Sequence, residues 1–349
     1  MRRDKVKMEN KKPKGDSLVK KIVGKNEFVL FVLIIVLCAF LNSANDGFLT
    51  SANFLSMTRS FAIEGIALIG MTMLLIMGVW DMSIGSIMVL ASYFFTVGVS
   101  EWKLPVLVAM LIALLSGVVV GAINGVLITR LNVNAYIATL STMSIFRGLV
   151  YALSQGAPKR CVDRAFCSLS EATFGKIPVM FVCVIILFVL IDIALRKVRW
   201  FRQLYFIGGN PNSAELTGIN VRGMRLIIYI VTGFLSALAG CLLASRLQGS
   251  VPTGNANTAM TLMVACVIGG CSFAGGRGTM LGAVLGHAFL KILNNGLVML
   301  QVSDAWFNCV LGIFLIVVVF INTLSATSVE RSKAKKVRAE TLALMNAEG

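Results

Sequence analysis

The chain has 349 residues, 57% of them hydrophobic and only 14% charged, with a mean hydropathy of +0.85. Soluble globular chains carry about 25% charged residues, so a water-facing fold of two or three domains is excluded and lipid is the expected solvent. Thirty-two Lys and Arg against 16 Asp and Glu leave a net charge of +16, and the placement of those basic residues decides whether nucleic acid or a membrane explains them.

Residues 1–26 form a basic tail with ten Lys and Arg. The apolar run Phe28–Leu41 that follows has the length of a signal-peptide core. The long polar stretch before it, and the lack of a small-x-small cleavage site after it, mark it instead as an uncleaved first span. Nine more candidate spans follow, at about Phe61–Val79, Ile84–Val99, Leu104–Ile128, Ala135–Leu153, Ile177–Leu195, Leu226–Leu247, Ala259–Phe273, Met280–Leu300 and Ala305–Leu324. Several fall short of the roughly 20 residues a helix needs to cross hydrocarbon; short or glycine-broken spans are tolerated where protein covers the backbone. The expected fold is therefore an all-α integral membrane protein of about ten helices, with a membrane domain over 27–324 and a second basic tail over 325–349.

Between the second and third spans lies Gly78-Val79-Trp80-Asp81-Met82-Ser83-Ile84-Gly85-Ser86. A lone carboxylate at depth costs at least about 2.5 kcal/mol, so Asp81 is expected to cap the third span, with Ser83 beside it, or to serve a gate. Gly117, Gly121 and Gly125 in the fourth span, and Gly282 and Gly286 in the ninth, sit four apart on one helix face and let backbones approach closely. The fifth span carries Arg147, which is expected to bond free carbonyls at a helix break or to meet a solute, and Lys291 is expected to snorkel or to meet a solute; His287 and Glu64 are the other ionisable groups within spans. Asp192 and Arg196 have the spacing of a local ion pair.

The loop 154–176 carries Lys159, Arg160, Arg164 and Lys176, with Cys161 and Cys167 close enough in sequence to form a disulfide if that loop faces an oxidising side. Cys38, Cys183, Cys241, Cys266, Cys271 and Cys309 lie in apolar runs and read as small hydrophobes. The stretch 196–225 holds six Lys and Arg, and the C-terminal tail five; with the N-terminal tail these account for 21 of the 32. Ten spans put all three clusters on one side, the cytoplasmic one; only the 154–176 loop disagrees. Nucleic acid is not needed to explain the charge.

Inside the 196–225 loop, Ile207-Gly208-Gly209-Asn210-Pro211-Asn212-Ser213-Ala214-Glu215-Leu216-Thr217-Gly218-Ile219-Asn220-Val221 predicts a two-turn helix over Pro211–Thr217. Asn210 is its N-cap, Pro211 its first residue and Gly218 its stop. So short a helix has no core of its own, and Ala214 and Leu216 require a partner surface, either the membrane or a cytosolic protein. Further on, Gly269-Gly270 and Gly275-Gly276-Arg277-Gly278 flank a short apolar piece; each glycine costs a helix about 1 kcal/mol, so a broken or re-entrant segment is expected. The same Gly275–Gly278 run lacks the Lys-Ser/Thr ending of a phosphate loop, and the chain is not expected to hydrolyse ATP. His287 is the one histidine, which excludes an HExxH zinc site. Trp80, Asn124, Asn294 and Asn295 are the candidates for contacting a neutral polar solute within the membrane, with hydrogen bonding between helices the alternative for the three asparagines.

These stretches together resemble the membrane permease subunit of ribose-type sugar importers of the ABC transporter superfamily. The loop matches a YAIGGN–x–x–AA–x–x–SGI–N pattern through Tyr205-Phe206-Ile207-Gly208-Gly209-Asn210, Ala214 and Thr217-Gly218-Ile219-Asn220-Val221. Residues 78–86 match GG–x–DLSVGS. Ala135-Tyr136-Ile137-Ala138-Thr139-Leu140, Met143 and Arg147-Gly148 match P–x–FIATL–x–x–M–x–x–x–RG, and Val267–Thr279 matches VIGGTS–x–x–GG–x–GT, with Asn294-Asn295-Gly296-Leu297 following. The similarity runs in order from about residue 45 to 322. Val79-Trp80 depart from the usual glycine and small aliphatic, Asn134-Ala135 replace the usual proline, and Thr258–Ala265 lack the acidic pair that often precedes VIGG. These departures touch the substrate and the gate and leave the loop intact.

The resemblance implies a transport subunit rather than an enzyme. It implies uptake of a small sugar delivered by an extracytoplasmic binding protein, a second permease copy, and a separate ATPase that uses ATP and Mg and docks on the loop comprising Gly208, Gly209, Asn210, Pro211, Ala214, Glu215, Leu216, Gly218 and Asn220. Trp80, Asp81, Ser83, Arg147, Gly269, Gly270, Asn294 and Asn295 are the expected pathway or gate residues. A nucleoside, quorum-signal sugar or branched-chain amino acid is the alternative cargo, and an ion-coupled secondary transporter relying on Glu64 or Asp81 the alternative class.

Overall fold

The computed structural model describes residues 26–320 except Lys176, Asp304, Leu315, Val318 and Val319. The expected tails, save Asn26, and the end of the tenth expected span lie outside the described residues. Seven helices are long and apolar enough to cross a membrane. They are α1 (Asn26–Ala44), α2 (Ser51–Ile76), α4 (Val106–Thr129), α5 (Ala135–Ser154), α7 (Val179–Lys197), α10 (Val221–Leu247) and α12 (Met280–Met299). Three shorter apolar helices join them: α3 (Ile84–Ser100), α11 (Thr258–Ile268) and α13 (Ala305–Phe314). The remaining helices are α6 (Arg164–Glu171), α8 (Arg199–Gly209) and α9 (Pro211–Leu216).

Short polar side chains set the starts. Asn134 accepts from the Tyr136 amide at 2.9 Å to open α5, Asp163 from Phe166 at 2.9 Å to open α6, Asn220 from Gly223 at 2.8 Å to open α10, and Thr279 from Gly282 at 3.0 Å to open α12. Each satisfies one of the amides a helix start leaves without a partner.

α2 is the centre of the bundle. From Phe61 to Met77 every residue but Glu64 is buried, the signature of a helix that is apolar all round. It packs against α7, α10, α11 and α12. α10 in turn holds α3 and α4. The four-residue glycine spacing has its reason here: a side chain at Gly117 would meet Gly233 and Ala237, at Gly121 the Tyr229 carbonyl, and at Gly125 Leu226, so α4 and α10 touch backbone to backbone. Gly282 and Gly286 do the same for α12 against Gly269 and Ala265 of α11. Both stripes serve packing within the chain.

At the far end from α9, β1 (Lys159–Arg160) pairs antiparallel with β4 (Gly249–Ser250), with Lys159 opposite Ser250. Lys159 is also 2.7 Å from the Glu101 carboxylate. α6 lies over the end of α10, where the Ser170 amide donates to Ser245 Oγ at 3.0 Å, and Phe166 stacks on Phe95 with ring centres 4.5 Å apart. Cys161 and Cys167 are both buried thiols, the Cys167 sulfur 3.8 Å from the Cys161 carbonyl. A second small hairpin joins β2 (Thr173–Phe174) to β3 (Ile177–Pro178). The Asp192–Arg196 ion pair forms as its spacing predicts, at 2.7 Å.

The helices α6 and α8, and the start of α2, escape the sequence reading. α8 occupies part of the stretch read as polar loop; its buried Leu204, Ile207 and Gly208 make it amphipathic. α2 begins at Ser51, ten residues before the apolar run, because Thr50 caps it and its first turns are polar but helical.

Candidate functional site

α9 is one and a half turns long and is held by its own ends. Asn210 Oδ1 accepts from the Ser213 amide at 3.1 Å, Pro211 supplies the fixed φ of the first turn, and Gly218, at φ +84°, turns the chain away. The Ala214 carbonyl accepts from both the Thr217 hydroxyl at 2.8 Å and the Ile219 amide at 3.1 Å. Ala214 itself is 3% exposed, whereas Leu216 is 90% exposed. The two residues expected to share one partner surface are thus divided: Ala214 pins the helix to the body, and Leu216 projects from it with Glu215 alongside.

Directly behind α9 three connections meet through main-chain atoms. They are the α2–α3 turn, the end of α8 at Gly208, and the α11–α12 connection. The Gly276 amide donates to the Ile76 carbonyl at 2.9 Å, and a Cβ on Gly208 would overlap that same carbonyl and the Gly276 nitrogen. Gly275, at φ +84°, lies against Gly78 and Gly208; only glycine combines that conformation with so close an approach. The Tyr205 hydroxyl donates to the Gly278 carbonyl at 3.0 Å. Burial pushes the Tyr205 phenol up to about 12, which keeps it a donor. By contrast Gly209, one residue on, has open space where a side chain would go.

The α2–α3 turn carries the residues expected at the gate. Asp81 is fully buried, and its Oδ1 accepts from the Ser83 amide at 2.7 Å and the Ser83 hydroxyl at 2.6 Å. The capping position of α3 belongs to Ser83, and Asp81 braces the turn two residues earlier. From Ser83 the chain of bonds continues: Asn124 Nδ2 donates to Ser83 Oγ at 2.8 Å, and Thr142 Oγ1 donates to Asn124 Oδ1 at 2.7 Å. One buried relay therefore joins the turn to α4 and α5. Trp80 lies edge-on to Phe273, with ring centres 5.6 Å apart, and its carbonyl accepts from Tyr229 at 2.9 Å. Gly269 ends α11 against the Gly282 backbone, and Gly270 follows at φ +96°.

The remaining candidates lie elsewhere. Arg147 donates to the Gly254 carbonyl at 3.1 Å and the Asn255 carbonyl at 3.3 Å, close to Gly85; it braces the connection that leads into α11. Asn295 exchanges two hydrogen bonds with Asn53, at 2.8 and 2.9 Å, near the start of α2, and Asn294 beside it is half-buried. Lys291 pairs with Glu64 across α12 and α2, next to His287, whose Nε2 is 3.2 Å from the Phe61 carbonyl. Sequence reasoning missed Tyr229, Tyr205 and Thr142. A tyrosine or threonine in an apolar run is the available signal, but the partners lie too far off in sequence to be guessed.

Seven helices long and apolar enough to cross a membrane, most of them with apolar side chains exposed, and polar groups spent on helix breaks define a multi-pass membrane protein. The chain belongs to the family described as branched-chain amino acid transport system / permease component, whose model matches residues 53–319. It is 34% identical to the ribose import permease protein of Bacillus subtilis over 325 residues, covering 92% of this chain and 98% of that one. It is 33% identical to the ribose import permease protein of Haemophilus influenzae, covering 78% of this chain and 86% of that one. The xylose transport system permease protein of the same organism is 29% identical, with 87% and 97% covered. No solved structure matches the chain.

Proposed function

We propose that the chain is the permease subunit of an ATP-driven, binding-protein-dependent importer for a small sugar, a monosaccharide of the ribose or xylose kind. α9 is its coupling helix. The seven long helices and the shorter α3, α11 and α13 make ten crossings of the cytoplasmic membrane, which leaves both termini and α9 in the cytoplasm. Two permease copies receive a sugar from an extracytoplasmic binding protein, and a separate ATPase that consumes ATP with Mg grips Leu216 and its neighbours on each.

The observation that carries this reading is the joint behind α9. A displacement of α9 moves Gly208, and Gly208 is in backbone contact with the end of α2 and with the α11–α12 connection. Those two segments hold Trp80, Asp81, Gly269 and Gly270. ATP-driven movement of α9 thereby reaches the helix breaks and shifts the population between inward-open and outward-open states. Arg147, Asn294 and Asn295 act away from the joint, Arg147 on the connection into α11 and the asparagines at the opposite end of α12.

Replacing Leu216 with Glu tests the coupling role. Leu216 is 90% exposed, so the fold is unaffected. Buried interface anchors contribute about 2 kcal/mol or more, so co-purification of the ATPase subunit and vanadate-sensitive sugar uptake should fall together by roughly thirtyfold. Unchanged retention of the ATPase by the Leu216→Glu chain would sink the proposal.

A further inference from the structure

A basic cavity of about 190 Å³ opens beside the α9 connection, lined by Thr129, Arg130, Asn220, Arg222, Gly223 and Leu226. It lies between the end of α4 and the start of α10. It is far larger than the roughly 10–15 Å³ that one water needs. Two arginines, Arg130 and Arg222, line it, both exposed, and among the described residues neither forms an ion pair. Glu215, the acid nearest along the chain to Arg222, forms none either. Like charges around one cavity repel until an anion enters, and a guanidinium fork matches the oxygens of a phosphate.

The surroundings select the carrier of that phosphate. α4 exposes apolar side chains along its length, from Leu107 through Leu115 and Ile123 to Val126, and Ile227 of α10 is exposed beside them. This strip runs down α4 and ends one turn from Arg130. In a membrane it lies against acyl chains, and its lower end delivers a headgroup into the cavity. We infer that the cavity between α4 and α10 binds the phosphate headgroup of an anionic phospholipid, with the acyl chains along α4. Asn220, which lines the cavity, is two residues from the Gly218 turn, so the lipid contacts the segment that holds α9. The inference rests on the chain lying in a membrane and is independent of the sugar carried.

The test uses the purified full chain in detergent, titrated with phosphatidylglycerol or phosphatidylcholine and read by native mass spectrometry. The wild-type chain should retain phosphatidylglycerol in preference to phosphatidylcholine. The double substitution Arg130→Gln, Arg222→Gln should weaken phosphatidylglycerol retention roughly tenfold or more. Arg130→Lys with Arg222→Lys should restore most of it, which separates charge from misfolding, and Arg196→Gln, at the Asp192 pair, should change nothing. Inorganic phosphate at millimolar concentration should not displace the lipid. Equal retention by wild type and the double Gln variant overturns the inference. So does full displacement by inorganic phosphate, which would make the cavity a site for a free anion. Loss of ATPase association with lipid retention intact also overturns it, because the arginines would then face a protein partner.

Discussion

Gly208 and Gly209 are chemically identical neighbours with opposite surroundings. A methyl on Gly208 would drive into the Ile76 carbonyl, whereas one on Gly209 would meet nothing within 4 Å. Overpacking against backbone that cannot move costs about 1–3 kcal/mol. Gly208→Ala should therefore lower the thermal midpoint of the detergent-purified chain by several degrees and uncouple sugar uptake from ATP hydrolysis. Gly209→Ala should match wild type in both assays. Equal behaviour of the two variants would mean that the joint does not constrain the loop. The residue scale also shows how far the sequence could be read. Asn210, Pro211 and Gly218 announce α9 because their roles are local, a cap, a fixed φ and a positive φ. Asp81 announces a polar site but not its partners: Ser83 is two residues away, whereas Asn124 and Thr142 arrive from two other helices, and no spacing rule links them.

Among the elements, the connection from α10 into α11 depends on one side chain. Arg147 reaches across from α5 to two carbonyls, Gly254 and Asn255, the second of which otherwise has only the long 3.4 Å bond from the Thr258 amide. Hydrogen bonds from a charged donor contribute about 1.5–3 kcal/mol, so Arg147→Gln should speed amide exchange across residues 254–258 by roughly thirtyfold while α9 keeps its protection. Exchange that is unchanged there, or that rises uniformly over the chain, would contradict the bracing role. Of the elements, the long helices are legible because apolar runs of 19 or more residues have few other fates. α6 and α8 are not, because an amphipathic helix of eight or eleven residues among charges looks like loop until the surface it packs on is known. The start of α2 is hidden for the same reason: its first turns carry Asn53, Ser56 and Ser60, whose partners lie on α10 and α12.

For the whole molecule, the distribution of charge has a topological consequence. The proposed ten crossings would put α9 on one side and the β1–β4 pair on the other. With single cysteines introduced into a chain whose own reactive thiols have been replaced, Arg160→Cys should react with a membrane-impermeant maleimide added outside intact cells, and Ser213→Cys only after the cells are opened. Labelling of both from outside would break the ten-crossing arrangement. The basic loop that contradicted the charge rule is partly neutralised on its own side, where Lys159 meets Glu101. The rule counts positive residues along the chain and does not see which of them a neighbouring loop has already paired.

The closest approaches in the joint behind α9 are between main-chain atoms of Ile76, Gly78, Gly208, Gly275 and Gly276, and the Tyr205 hydroxyl on the Gly278 carbonyl is the side-chain bond that joins them. Apart from that one tyrosine, such a connector carries little chemical identity beyond the absence of Cβ atoms. The membrane body above it and the projecting helix below it can therefore diverge in sequence independently. On the proposed function, a lineage could acquire a new cargo without renegotiating its motor, and exchange a motor without disturbing the cargo site, as long as the glycines persist.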